Sequence, residues 1–248
     1  MSNNFPAQCS VFITGGTGSI GRALVDTFVK AGTTVSFQYC QDTTGALEIE
    51  RKYGITGHCI DFSSKSLPDL GHVDILVNSA GINISKVPIE CATDEEWDKT
   101  LMVNVTVPML LAKQVLPQMK QQGWGRIINV SSIYGMRIAA NNLSYNVSKH
   151  ALRALTASIA KEYGAWGVTC NEVCPGPVSS NLLRRIAEES SRKTGISVAA
   201  YEQKLASSIP VGRLALPQDI ANAVLWLASE ESSYINGISL PIDGGLTL

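Results

Sequence analysis

The chain reads as one α/β domain over residues 1–248, built on a doubly wound parallel sheet of about seven strands with helices on both faces. Three observations lead there. Short β-rich runs alternate with longer helical patterns, the order that a parallel sheet requires. The runs are apolar without polar alternation, as strands covered on both sides are. A glycine-rich turn stands between the first run and the first helical pattern, and no Pro/Gly/Ser linker divides the chain.

The elements follow in order. "SVFIT" (10–14) is the first strand, and a helical pattern covers 19–31. "TTVSFQY" (33–39) and "TGHCI" (56–60) are the second and third strands, with "VDILVNS" (73–79) the fourth. Only "DFSSKSLPDLGH" (61–72) connects the third to the fourth. A parallel crossover normally uses a dozen residues or more, usually a helix. Pro68 and Gly71 leave room here for a turn or two, so that side of the sheet should be thinly covered. A helix over 94–121 leads to "GRIINVS" (125–131), and a helix over 144–164 leads to "GVTCNEV" (167–173). Residues 179–210 then carry two helical patterns and no strand, long enough for a substrate lid. A helix over 217–229 and "GISLPID" (237–243) close the domain.

Composition narrows the function classes. Twenty basic residues against 21 acidic give a formal net charge of −1, so neither nucleic acid nor an anionic membrane has an electrostatic footprint to meet. No uninterrupted apolar run approaches the roughly 18 residues of a membrane span. "MSNNFPAQCSVFITGG" lacks the basic start and apolar stretch of a signal peptide. The six cysteines form no CxxC pair and read as reduced core residues of a cytoplasmic protein. His58, His72 and His150 have no ligand-like spacing, so no metal site is expected.

The first chemistry lies in "VFITGGTGSIGRAL". Gly16, Gly18 and Gly21 fit G-x-G-x-x-G between a strand and a helix, the context of a Rossmann-like dinucleotide site. Glycines allow the tight turn and let backbone N–H groups approach a pyrophosphate at the helix N-terminus. An acid at the end of the second strand would bind the adenosine ribose of NAD. That position holds Tyr39, with Asp42 beyond it, which removes a repulsion against a 2′-phosphate and favours NADP(H). No arginine stands at Gly18, Cys40 or Gln41 to hold that phosphate, so NAD(H) stays possible.

The second lies in "SYNVSKHALRAL" (144–155). Tyr145 and Lys149, four apart on a helix, share one face. A phenol near a cation has a lowered pKa and becomes a usable general acid. Alone, such a pair is ordinarily surface decoration.

Together with their neighbours these residues resemble the short-chain dehydrogenase/reductase family over the whole length. "TGGTGSIG" (14–21) is similar to its cofactor loop, and "NSAG" (78–81) to its N-N-A-G stretch, with Ser79 replacing the second asparagine. "MVNVTVPMLL" holds its helix asparagine at Asn104, "IINVSSIYG" its serine at Ser132, and "YNVSK" its Y-x-x-x-K. "NEVCPGPVSS" and "LPIDGG" resemble its later motifs. The likeness is strongest to β-ketoacyl thioester reductases and secondary-alcohol relatives.

The resemblance implies a tetrad of Asn104, Ser132, Tyr145 and Lys149. Tyr145 would be the general acid, Lys149 would tune it and bind the nicotinamide ribose, Ser132 would hold the substrate oxygen, and Asn104 would anchor a proton-carrying water. It implies cofactor contacts from Gly15, Thr17, Gly18, Ser19, Ile20, Gly21, Tyr39, Asp61, Phe62, Asn78, Ala80, Gly81, Tyr145, Lys149, Pro175, Gly176, Val178 and Ser180. Asp61 reads equally as a turn cap. Leu182, Leu183, Ile186 and Tyr201 would wall a pocket or pack the lid onto the body, and Arg184 and Arg185 lie near its mouth. The expected activity is carbonyl reduction on a 3-oxoacyl thioester or similar small-molecule ketone. The alternatives are an NAD-dependent dehydrogenase of a hydroxy acid, sugar or steroid, and a dinucleotide sensor without turnover. Family members are usually homo-oligomers, tetramers or dimers.

Overall fold

The computed structural model describes residues 5–248, so the first four residues of the N-terminal stretch lie outside the description. Seven parallel strands stand in the order β3-β2-β1-β4-β5-β6-β7. They are β1 (Ser10–Ile13), β2 (Thr34–Tyr39), β3 (Thr56–Cys59), β4 (Ile75–Asn78), β5 (Gly125–Val130), β6 (Val168–Pro175) and β7 (Ser239–Ile242). The chain winds outward in one direction from β1 to β3 and in the other from β4 to β7. The strand order therefore reverses between β1 and β4, the switch point beyond whose carboxyl ends open α/β sheets bind their ligands.

The helices are α1 (Ser19–Lys30), α2 (Thr43–Tyr53), α3 (Asp94–Leu101), α4 (Val107–Gln122), α5 (Leu143–Tyr163), α6 (Asn181–Thr194), α7 (Val198–Ser207) and α8 (Pro217–Ala228). One face of the sheet buries Leu24 and Phe28 of α1, Ile49 of α2 and Val224 of α8. The other buries Leu111, Val115 and Met119 of α4 with Ile159 of α5. Strands β4, β5 and β6 are buried at every position, which is why their sequences show no alternation.

Three sequence expectations need correction. Helix α2 was not foreseen. Its opening Thr-Thr-Gly is a weak helix former, yet Asp42 caps it by accepting from the Gly45 N–H at 2.9 Å, and Gly54 ends it at φ +65°. Those two signals mark the helix that its composition hides. The six cysteines are free, but Cys40, Cys59 and Cys91 are exposed and only Cys9, Cys170 and Cys174 are core residues. The stretch Asp94–Gln122 is long and apolar enough to cross a membrane by length and composition, although no unbroken apolar run marks it. Half of its most apolar window is buried, and α4 packs that side onto the sheet.

The thin crossover is as expected. Its regular structure is one short turn, Phe62–Ser64, and Phe62, Leu67 and Leu70 pack where a helix would otherwise lie. Strand β3 beside it has no buried residue. The two helical patterns of 179–210 are α6 and α7.

Candidate active site

The glycine loop is built to carry nothing beyond Cα at its tightest points. Gly15 sits at φ +68°, and a Cβ there would lie 3.0 Å from the Ala80 backbone. A Cβ on Gly21 would stand 2.0 Å from the Gly15 carbonyl oxygen, so the helix start and the loop are in backbone contact. Two strands hold the loop. Gly15 N–H donates to Gln38 Oε1 at 2.9 Å, and Gly16 N–H to the Gln38 carbonyl at 2.8 Å. Thr14 Oγ1 accepts from Ser79 N–H at 3.0 Å and Ala80 N–H at 2.9 Å. Gly18 caps α1 without a side chain, leaving the first-turn N–H groups at Ser19 and Ile20 without helical acceptors. This cradle fits a pyrophosphate.

At the adenosine end, Tyr39 closes β2 half-buried, its ring 6.1 Å from that of Phe37. Asp61 caps the next turn, accepting from Ser63 N–H at 2.8 Å, and that bonding holds its carboxyl below the usual range. Two cofactor assignments turn into the core instead. The Phe62 side chain is buried in the α4 and α5 core. Asn78 is buried in the sheet and donates to Asn129 Oδ1 at 2.8 Å, which joins β4 to β5.

The four expected reaction residues come from three elements. Ser132 follows β5 and accepts from Tyr134 N–H at 3.1 Å. Tyr145 lies half-buried in the first turns of α5, edge-on to Tyr134 with ring centroids 6.4 Å apart. Its phenol is pushed up by burial, partly offset by the Ser132 hydroxyl. The expected lowering by Lys149 is not seen: the phenol lies above its ordinary value. Lys149 Nζ lies 5.6 Å from the Tyr145 ring centroid and donates to the Val130 carbonyl at 3.0 Å. Burial brings Lys149 itself down to about 8, against the opposing pull of Glu172.

Asn104 sits in a π-helical turn, Met102–Thr106, between α3 and α4. Such wide turns recur at functional sites. Asn104 is 1% exposed, accepts from Ile82 N–H at 2.9 Å and donates to the Ile82 carbonyl at 2.9 Å and to Ser148 Oγ at 3.0 Å. A Cβ on Gly81 would lie 3.5 Å from both Asn104 Oδ1 and Lys149 Nζ, so these two residues converge on Gly81. Ser148 and Gln38, which fix Asn104 and the glycine loop, carry no sequence pattern of their own and were missed.

Pro175, Gly176 and Val178 form the turn after β6. Gly176 N–H donates to the Ile242 carbonyl at 3.0 Å, and Val178 bridges to Ala215. Ser180 caps α6, accepting from Leu183 N–H at 3.2 Å. One residue on, Asn181 N–H donates to Ser19 Oγ at 3.2 Å, which links the start of α6 to the glycine loop. A cleft of about 340 Å³ joins Ile20, Ser132, Tyr145, Gly176 and Val178 to Leu182, Leu183, Ile186 and Tyr201. All four apolar residues of α6 and α7 singled out in the sequence therefore wall it. A wider groove of about 610 Å³, with Lys86 and Arg185 along it, adjoins the cleft but holds none of the four reaction residues. Arg184 instead pairs with Glu188 at 3.2 Å on the surface.

Comparison with known proteins agrees with this geometry. The family described as enoyl-(acyl carrier protein) reductase matches residues 15–247. The chain is 33% identical to 3-oxoacyl-(acyl-carrier-protein) reductase of Aquifex aeolicus, over 94% of this chain and 95% of that protein. It is 31% identical to acetoacetyl-CoA reductase of Rhizobium meliloti, over 94% of this chain and 96% of the relative. Identity to glucose 1-dehydrogenase 2 of Bacillus subtilis is also 31%, over 96% of this chain and 95% of the relative. The chain belongs to the short-chain dehydrogenase/reductase family and is an oxidoreductase that interconverts an alcohol and a carbonyl with a nicotinamide dinucleotide.

Proposed function

We propose that the protein reduces a 3-oxoacyl thioester or similar ketone to a secondary alcohol, with NADP(H) preferred. One observation carries this reading: Ser132 and Tyr145 line a single cleft that the glycine loop also reaches through Ile20. Two relatives named for reduction of 3-oxoacyl and acetoacetyl thioesters support the substrate class.

The roles follow from charge and position. A dinucleotide held there would supply the hydride, leaving negative charge on the carbonyl oxygen. Ser132 donates to that oxygen and holds it beside the phenol. Tyr145, whose phenol is held above its ordinary value by burial, gives the proton. Lys149 stabilises the resulting phenolate by its charge and contacts the nicotinamide ribose. Asn104 orders Ile82 and Ser148 around the lysine, where a water passes protons onward. Gly15 through Gly21 hold the pyrophosphate, with Ala80 and Gly81 beside them. Tyr39 and Asp61 flank the adenosine, while the 175–178 turn and Ser180 face the nicotinamide half. Residues 179–210 act as the lid.

The absent acid at Tyr39 supports NADP(H). NAD(H) is the second reading, favoured by Arg22. Its guanidinium is held by Thr17 O at 3.0 Å, Asp42 at 3.1 Å and Glu48 at 3.3 Å, so it meets a 2′-phosphate only by leaving them. Free cysteines suit a cytoplasmic location, and the outward Met109 of α4 and Val147 of α5 suit homo-oligomer contacts. Acetoacetyl-CoA, a β-keto ester and a simple ketone, each offered with NADPH and with NADH, test the reading. Dinucleotide oxidation with the thioester is expected. No oxidation with any of the three would overturn it.

A further inference from the structure

Strand β6 places Cys170, Glu172 and Cys174 two residues apart on one face, and all three are buried. That face lies under α5. Asn129, the β5 partner of Glu172 in register, donates to Thr156 of α5 at 2.8 Å. Lys149 lies two helical turns before Thr156 and reaches the Val130 carbonyl, at the end of the same strand. Val130 pairs with Val173, the residue between Glu172 and Cys174. Lys149 therefore enters the sheet beside this acid.

Glu172 is 0% exposed, and none of the reaction steps above uses it. Cys174 Sγ donates to its Oε1 at 3.5 Å, and the Ser131 and Ser239 hydroxyls face the carboxyl. Among the described residues, Glu172 Oε2 and Ser131 Oγ each lack a well-formed partner. A buried carboxyl so thinly bonded is expensive unless a cation compensates it. Ser131 also lines the cleft, one residue from Ser132. Ser131 thus stands between the reaction site and the acid.

We propose that Glu172 is a positioning residue for the reduction, a buried acid that forms one coupled proton site with Lys149 and keeps the lysine ammonium charged beneath the cleft. The proposal rests on the roles given above to Tyr145 and Lys149. The titrating groups that face Glu172 are Lys149 from α5 and Cys170 and Cys174 from its own strand. From β5 and β7 it meets Asn129, Ser131 and Ser239, which do not titrate. Burial pushes Cys174 up to about 12 and Cys170 higher still, so both stay neutral thiols. Burial also raises Glu172 while it lowers Lys149. Burial thus moves the acid and the amine toward each other, and such a pair titrates as one unit.

Glu172→Gln is the test. It keeps size and removes charge. The alkaline limb of kcat for ketone reduction should move to lower pH by on the order of one unit, a loss of roughly tenfold on that limb. KM for the ketone should hold, and Glu172→Asp should recover part of the shift. A Gln profile that superimposes on wild type would overturn the proposal, whatever its melting temperature. A second measurement does not need that variant to fold. Infrared spectra of the cofactor-free wild type should show a buried carboxyl protonating with pH, and its midpoint should rise in Lys149→Met. An unmoved midpoint would also overturn the proposal. Full ketone reduction by Lys149→Ala would instead sink the parent reading of the lysine.

Discussion

Lys149 reaches past Tyr145: its Nζ stands 5.6 Å from the phenol ring centroid and donates to the Val130 carbonyl at 3.0 Å. The helix spacing brings the two side chains together, but the ammonium's hydrogen bond goes to the strand. The phenol is therefore a protonated group in a partly apolar wall, and the lysine is the member of the pair nearer its titration point.

Replacing Tyr145 by phenylalanine removes the proton donor and keeps the ring packed against Tyr134. Turnover should fall by roughly 10²–10⁴-fold, the usual share of general acid catalysis. Melting temperature and dinucleotide affinity should stay near wild type. Steady-state kinetics with fluorescence titration check this, and near-normal ketone reduction would remove Tyr145 from the mechanism.

The pH profile follows from the lysine. Burial depresses Lys149 to about 8, so it loses its proton as pH rises through that region. Ketone reduction should be flat below it and decline above it. Arginine at this position stays charged throughout. Lys149→Arg should be slower at every pH because of its changed reach, but it should lack the decline near 8. A wild-type rate still level well above that region would contradict the assignment.

For the cofactor, the expected order is tighter binding of NADPH than NADH. Tyr39→Asp should reverse it by setting a carboxylate against the 2′-phosphate. Asp42→Ala should strengthen NADPH binding, since it frees one arm of Arg22. Dissociation constants for both dinucleotides decide the matter, and unchanged ratios in both variants would contradict it.

Asn104→Ala strips partners from the half-buried Ile82 backbone and from the buried Ser148. Leaving such groups unsatisfied costs about 1–3 kcal/mol, so the urea midpoint should drop along with turnover. Tyr145→Phe should show only the second effect.

If 179–210 covers the substrate, amide exchange across α6 and α7 should slow when dinucleotide and substrate are both bound. Ser19→Ala, which cuts the link to Asn181, should weaken that protection while sparing the sheet. Equal exchange with and without ligands would mean that the segment is fixed structure.

What the sequence made legible was local. The glycine loop, the Tyr145–Lys149 spacing and the serine after β5 each lie within one strand-to-helix junction, where neighbours in sequence are neighbours in space. What it hid depends on distant partners. Gln38 matters because it meets Gly15 across two strands, and Ser148 because α5 crosses Asn104. Glu172 passed for one polar residue in a strand, since nothing nearby in sequence announces Lys149. The family resemblance sets Phe62 and Asn78 at the cofactor, whereas packing turns both side chains into the core. Helix α2 escaped because its caps, and not its composition, define it.

The wide turn at Met102–Thr106 sets the phase between two stretches of helix. Within the turn Asn104 points toward Ile82 and Ser148, and downstream of it α4 lays Leu111, Val115 and Met119 on the sheet. At 3.6 residues per turn, deleting one residue there rotates one stretch against the other by about 100°. No choice of side chains restores both orientations at once. The chain can then keep its apolar seam or its buried asparagine, but not both. A single-codon deletion in this turn should therefore be far less tolerable than one in the exposed part of the 61–72 connection, where no helix has a phase to lose.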